Sequence, residues 1–174
     1  DDELIFEEKS EAFTVSIGLS SDEKYFFITT SDHNTSEQYY FSVNDNNPKP
    51  RLIKKRKKGI LYSVNSWNGK FYNHTNEDAE DFKIDITDNL NEQKWKSFIP
   101  AKEEVLIGGL TFLNNWIIRS ETSDALDKLF VKNLKTEIEE ELTFSDEKVY
   151  VPGVSLIQRN KDTDEIYLGY SSPK

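Results

Sequence analysis

"LYSVNSWNGKFYNHTNEDAEDFKIDITDN", residues 61–89, holds the pattern on which the fold turns. Apolar and polar side chains alternate up to Trp67. Asn68-Gly69 follows, and alternation resumes in "KFYNHTN". Period-two patterning is the mark of a strand. Asn-Gly between two such runs is the strongest short hairpin signal, because both turn positions favour positive φ. The stretch therefore reads as strand, tight turn, aromatic strand, polar loop and third strand. Within it "FYNHTNEDAEDFKI", residues 71–84, gathers a histidine with several Asx and glutamate residues. Such residues fill loops because their side chains bond the local backbone, so the cluster reads as a hairpin connection before it reads as chemistry.

The same order recurs in "TVSIGLSSDEKYFFITTSDHNTSEQYYFSVN", residues 14–44, and in "LIGGLTFLNNWIIRSETSDALDKLFVKNL", residues 106–134. A fourth copy opens at "VSLIQRNKDTDEIYLGYSSPK", residues 154–174. The first turns, Asp22-Glu23, Asn68-Gly69 and Asn114-Asn115, lie 46 residues apart, and Asp164-Glu165 fills the turn of the fourth copy. Arg51 to Lys58, Trp95 to Lys102 and Ile138 to Phe144 can each supply a fourth strand. A unit of four antiparallel strands at this period matches a propeller blade. The fold class expected is all-β: a β-propeller fragment of about three full blades plus partial ones. The blades are expected at 13–59, 60–104 and 105–147, with 148–174 as the first half of the next. "ELIFEE", residues 3–8 within 1–9, is expected as the outer strand of a preceding blade. "SDALDKLFVKNLKTEIEEELTF" has the composition of a helix, but the repeat places Leu129 to Leu134 in the third-strand slot. Phe26, Tyr39, Phe41, Phe71, Phe82, Trp116 and Phe130 are expected on second and third strands, filling the space between blades at about 2–3 kcal/mol each.

Composition bounds the function. The chain has 174 residues, a net charge of −10, 13% aromatics and no cysteine. An acidic chain repels phosphate backbones, so nucleic acid is not an expected partner. Disulfides and thiolate chemistry are excluded, which suits a cytoplasmic location. No run approaches the roughly 20 apolar residues of a membrane helix. With no methionine and no targeting signature, "DDELIFEEKS" reads as the edge of an excised piece.

The chemistry-bearing motifs all have plainer readings. "RLIKKRKKG", residues 51–59, suits an outer strand kept from pairing by lysines better than a phosphate patch; its counterpart "EIEEEL" is acidic. His33 and His74 fall at comparable places, 41 residues apart, but too few ligands accompany them for a metal site. "NKDTDEIY", residues 160–167, lacks the central Gly and terminal Glu of a calcium loop and reads as a hairpin turn. "NTS" at 34–36 and "NHT" at 73–75 match the glycosylation pattern. There is no nucleophile elbow and no phosphate-cradling glycine loop. No catalytic, cofactor-binding or metal-binding residue is assigned, and no cofactor is expected.

Residues 3–41, "ELIFEEKSEAFTVSIGLSSDEKYFFITTSDHNTSEQYYF", resemble the oligopeptidase B branch of the prolyl oligopeptidase family of serine peptidases. The matching residues are Phe6, Glu7 and Glu8, then Phe13, Val15, Ser16 and Ile17, then His33, Thr35, Ser36 and Glu37. "GKFYNHTNEDAEDFKI" extends the likeness into the second blade. The resemblance implies a two-domain peptidase. In that family a seven-bladed propeller covers the active site of an α/β-hydrolase domain and admits only short peptides; the oligopeptidase B branch cleaves after Lys or Arg. This chain resembles the middle of that propeller and carries none of the hydrolase domain. The partners implied are that catalytic domain and short peptide substrates. Blade faces left open are expected to favour self-association. A scaffold that binds proteins on its loop faces is the alternative.

Overall fold

The computed structural model describes residues 3–143 and 151–171. Among these the chain forms fourteen strands and one 3-10 turn, Asn160–Asp162, with no α-helix. The first sheet holds β1 (Thr14–Leu19), β2 (Tyr25–Ser31), β3 (Ser36–Ser42) and β4 (Arg51–Lys54) in chain order. The second holds β5 (Tyr62–Trp67), β6 (Lys70–Thr75), β7 (Lys83–Thr87) and β8 (Lys96–Ile99). The third repeats the order with β9 (Leu106–Phe112), β10 (Trp116–Ser123), β11 (Leu126–Asn133) and β12 (Glu139–Leu142). A two-stranded sheet of β13 (Val151–Leu156) and β14 (Ile166–Ser171) follows. Each neighbouring pair is antiparallel. First strands begin at residues 14, 62, 106 and 151, which are 48, 44 and 45 apart and bracket the period read from the turns.

The chain divides at Pro100/Ala101 into two compact units. In the first, the two sheets share one core of Phe27, Tyr40, Ile53, Tyr62, Val64, Phe71 and Leu90, with Tyr25 and Trp95 packed against it. Asn68 and Gly69, at φ 51° and 75°, close the β5–β6 hairpin in the left-handed geometry that Asn-Gly favours. In the second unit Leu113, Ile118 and Leu129 form a core with Trp116, Val131, Leu142, Val154 and Ile166. The "GG" of β9 marks a bulge, with Gly108 and Gly109 opposing Ser120 alone. A Cβ on Gly108 would lie 2.1 Å from Ser120 Oγ, so only glycine fits that close approach.

The helix-like stretch is strand. Asp124 and Ala125 both take positive φ, 52° and 59°, and fold β10 onto β11 through a two-residue turn. Four expectations change. Residues 3–8 form no strand; no strand pairs with them, and they hold to the first sheet through side chains, Phe6 on Tyr39 (ring centroids 4.8 Å) and Glu8 on Arg56. Phe82 precedes β7, at φ 66°, and stacks on His74. His74 lies inside β6 rather than in a loop, since the strand runs on to Thr75. The last hairpin is not tight: residues 157–165 connect β13 to β14 and include the 3-10 turn, with Asp164 spent on Asn115. Phe144 and the boundary between 147 and 148 lie outside the described residues.

The contact of residues 3–8 gives a testable acid response. Arg56 donates to the Glu8 carboxylate at 3.1 Å and Ser10 N–H at 2.9 Å. The guanidinium first, and that N–H second, hold the Glu8 carboxyl below its ordinary range. Glu77 is lowered by its hydrogen bond from Lys54. A carboxylate whose folded value lies below its unfolded one stabilises the fold above the unfolded value, near 4.5, and that stabilisation is lost as pH falls through the folded value. Urea midpoints are therefore expected to drop as pH falls below about 4.5. Arg56→Met is expected to flatten that acid limb while lowering the neutral plateau.

Candidate functional site

Among the described residues no group of three His, Asp or Glu side chains is placed to hold a metal ion. His33 is an exposed loop residue and His74 a strand residue stacked on Phe82 at 4.6 Å. Two members of the basic run have counter-charges within the fold. Lys54 pairs with Glu77, and Arg56 bonds Glu8, lies over the face of Phe13 at 4.1 Å from the ring centroid and is 4.0 Å from Glu37. Asn76 fastens the acidic loop 76–82 to the basic connection: its Oδ1 accepts from Leu61 N–H at 2.8 Å and its Nδ2 donates to Gly59 O at 3.1 Å. The run is thus an outer strand and connection, tied to acidic partners at Lys54 and Arg56. Of the two glycosylation patterns, Asn34 lies in the β2–β3 loop, whereas Asn73 is buried in β6 and closed to modification in the folded chain.

What the three four-stranded sheets do share is a contrast between a neutral first strand and a charged fourth strand. The four first strands, TVSIGL, YSVNSW, LIGGLTF and VPGVSL, contain no charged residue. The fourth strands, RLIK, KSFI and EEEL, contain one to three. The contrast is visible in the sequence once the strands are in register, and it belongs to no motif. In the first unit a groove of about 250 Å³ runs between β1 and β5, lined by Ser16, Gly18, Phe27, Thr29, Gln38 and Val64 among others, all uncharged. Gly18 leaves it open, since a Cβ there would meet nothing within 4 Å. Such a wall offers hydroxyls, amides and small apolar surface, and it gives no acid, base or nucleophile in catalytic array.

Side chains of the first sheet also occupy backbone groups of the second. Ser36 Oγ accepts from Tyr62 N–H at 2.7 Å and donates to Tyr62 O at 2.8 Å. Gln38 Oε1 accepts from Val64 N–H at 2.6 Å. The Tyr62 hydroxyl accepts from Gln38 N–H at 2.8 Å and donates to Lys54 O; burial pushes its pKa well above the ordinary phenol range, so it stays protonated. Ser21 and Asp22, in the first turn, bond Asn65 and Ser66. In the second unit Arg119 is buried beneath Phe130 and joins Glu121 and Glu139, while Lys102 also reaches Glu121.

Successive four-stranded antiparallel meanders, each in chain order, define a β-propeller portion. The chain belongs to the prolyl oligopeptidase N-terminal β-propeller domain family, whose model matches residues 1–173. It is 27% identical over 183 residues to Protease 2 of Moraxella lacunata, covering 98% of this chain and 24% of that protein. It is 25% identical to dipeptidyl aminopeptidase BI of Pseudoxanthomonas mexicana, covering 98% and 23%. The chain therefore spans about a quarter of the length of the curated relatives it matches. Solved structures share the fold. Oligopeptidase B from Trypanosoma brucei, closed form with covalently bound antipain, superimposes with a TM-score of 0.84 at 23% identity over 97% of this chain and 25% of that one. Oligopeptidase B from Leishmania major gives 0.85 at 16% identity, with the same coverage.

Proposed function

We propose that this chain is the gating portion of a cytoplasmic serine oligopeptidase that cleaves short peptides, after Lys or Arg. The observation that carries the reading is the match of the family model to residues 1–173, joined to the likeness to Protease 2 over 98% of the chain. The mechanism is steric. A ring of packed sheets excludes folded proteins from a nucleophile held on an α/β-hydrolase domain of the same parent chain and passes only extended or short segments. The neutral first strands suit a passage wall, because uncharged hydroxyl and amide groups neither trap nor repel a peptide of either sign. The net charge of −10 draws basic peptides toward the protein from its loops and outer strands, an attraction that salt weakens. The absence of cysteine supports a reducing compartment. Exposed Val151, Tyr167 and Tyr170 support self-association of the chain when alone.

The test compares the 174-residue chain with the full-length protein that contains it. The full-length protein is expected to hydrolyse an arginyl-amide substrate and short basic peptides, to lose that activity to a serine-directed reagent, and to leave folded proteins uncut. The chain alone is expected to show no cleavage. Cleavage that survives purification of the chain, or a full-length protein without peptidase activity, overturns the reading.

A further inference from the structure

The β5–β6 turn places side by side two groups that the fold leaves unused. Asn68 is the one asparagine of the chain that glycine follows. Asn68 and Gly69 are both exposed, and the ladder closes outside them, at Trp67 and Lys70. The Gly69 N–H therefore takes no part in the ladder, and a Cβ on Gly69 would meet nothing within 4 Å. Among the described residues neither the Asn68 carboxamide nor the Gly69 N–H holds a hydrogen bond. Asparagines of other loops are tied: Asn76 donates to Gly59 O, Asn89 to Glu92 and Asn160 to Phe112 O. In the equivalent turn of the third sheet, Asn115 donates to Asp164 and tryptophan follows it.

We propose that Asn68 is a spontaneous modification site, converted through its own backbone to aspartate and isoaspartate. The Gly69 nitrogen, having lost its proton to base, attacks Asn68 Cγ. The N–Cγ bond closes a five-membered imide, the Cγ–Nδ2 bond breaks, and Nδ2 leaves as ammonia with a proton from water. Water then adds to one imide carbonyl and opens the ring. Breaking the N–Cγ bond gives aspartate; breaking the original peptide bond gives isoaspartate, whose main chain runs through Cγ. In sum one water is taken up and one ammonia released, with no change of oxidation state. Positive φ at both positions, 51° and 75°, is type I′ geometry, and the Trp67–Lys70 pair holds it. Ring closure needs rotation about the Asn68 Cα–C bond away from that geometry, so it waits for the hairpin end to open. Isoaspartate puts an extra carbon into the backbone of a two-residue loop. Next to it stands Trp67, 2% exposed, and then Ser66, whose Oγ donates to Asp22 at 2.9 Å in the first turn of the first sheet. The product therefore loosens the hairpin where the second sheet is fastened to the first.

Peptide mapping by mass spectrometry tests it, on the 174-residue chain kept folded in buffer and unfolded in urea. In the folded chain Asn68 is expected to be the first asparagine to convert, faster as pH rises because the attacking nitrogen must be deprotonated. In urea its conversion is expected to be about tenfold to a hundredfold faster, since the turn no longer restrains it. Gly69→Ala is expected to slow conversion in urea by about tenfold, where folding plays no part and the missing β-carbon is the difference. The isoaspartate form, separated by ion exchange, is expected to have a lower urea midpoint than the unmodified chain. Asn68→Asp, which carries the charge without the extra backbone carbon, is expected to keep the midpoint of the unmodified chain. Conversion of another asparagine before Asn68 in the folded chain overturns the proposal. So does a folded chain that converts Asn68 more than about a thousandfold more slowly than the unfolded one, which would make the turn a lock against the reaction. An isoaspartate form as stable as the unmodified chain overturns the loosening of the hairpin.

Discussion

Phe71→Ala is expected to lower the unfolding free energy of the chain by about 3–5 kcal/mol. Phe71 is 6% exposed in β6 and belongs to the core that both sheets of the first unit build, with Phe27 and Tyr40 on one side and Tyr62 and Val64 on the other. Its ring lies 5.3 Å from that of Tyr25, tilted by 58°. Truncation loses the transfer free energy of the ring and leaves a cavity between two sheets whose hydrogen-bonded ladders keep them from collapsing into it. Against a usual domain stability of about 5–15 kcal/mol, the loss is large enough to unfold a marginal chain. Urea denaturation at neutral pH measures it. Val43→Ala, at a position more than a third exposed, is the control and is expected to change stability by less than about 0.5 kcal/mol.

Arg119→Met is expected to cost about 3–5 kcal/mol, for an electrostatic reason. Arg119 is 3% exposed; its Nε donates to Glu121 Oε1 at 3.0 Å and a terminal nitrogen donates to Glu139 Oε2 at 2.7 Å. Glu121 is 5% exposed, so removing the guanidinium leaves a buried carboxylate with Lys102, 2.6 Å away and itself partly exposed, as its remaining counter-charge. Breaking one partner of a buried pair costs more than the pair contributes, because the other charge is left desolvated. The double variant Arg119→Met, Glu121→Leu is accordingly expected to recover most of the loss. A double variant no more stable than Arg119→Met would show that Arg119 acts through packing on Phe130, not through its charge.

The strand order was legible because local signals agreed with the long-range repeat. Asn68-Gly69 fixed one hairpin by its own chemistry, and the period then carried Leu129 to Leu134 into the third-strand slot; the two-residue turn at Asp124-Ala125 that leads into that strand was not legible, because no glycine or asparagine follows the left-handed pattern there. The same repeat overrode the helical composition of residues 123–144. It failed at positions where tertiary contacts decide. Residues 3–8 read as the outer strand of a preceding blade, but a strand needs a ladder partner, and Phe6 and Glu8 bind through side chains instead. Phe82 was carried onto a strand by alignment, while its stacking on His74 is held by a positive φ that no pattern announces. Asp164-Glu165 looked like a tight turn because composition records polar residues and not the length of the connection.

The surfaces that matter for function were only partly readable. Neutral first strands and charged fourth strands are visible in the sequence once register is known. The capping of β5 by Ser36 and Gln38 is not, because it depends on which backbone groups face outward and on which side chain crosses between sheets. Serine and glutamine on a third strand look like ordinary solvent-facing residues until the neighbouring sheet is in place.

The stacking of successive meanders is most directly measured by a nuclear Overhauser spectrum of the aromatic side chains. Tyr25 and Phe71 stand 46 residues apart, one full period, on second strands of adjacent sheets. A cross-peak between their ring protons, alongside one between Tyr25 and Tyr40, is the result the fold predicts. A folded chain with dispersed aromatic resonances and no Tyr25–Phe71 cross-peak would contradict it.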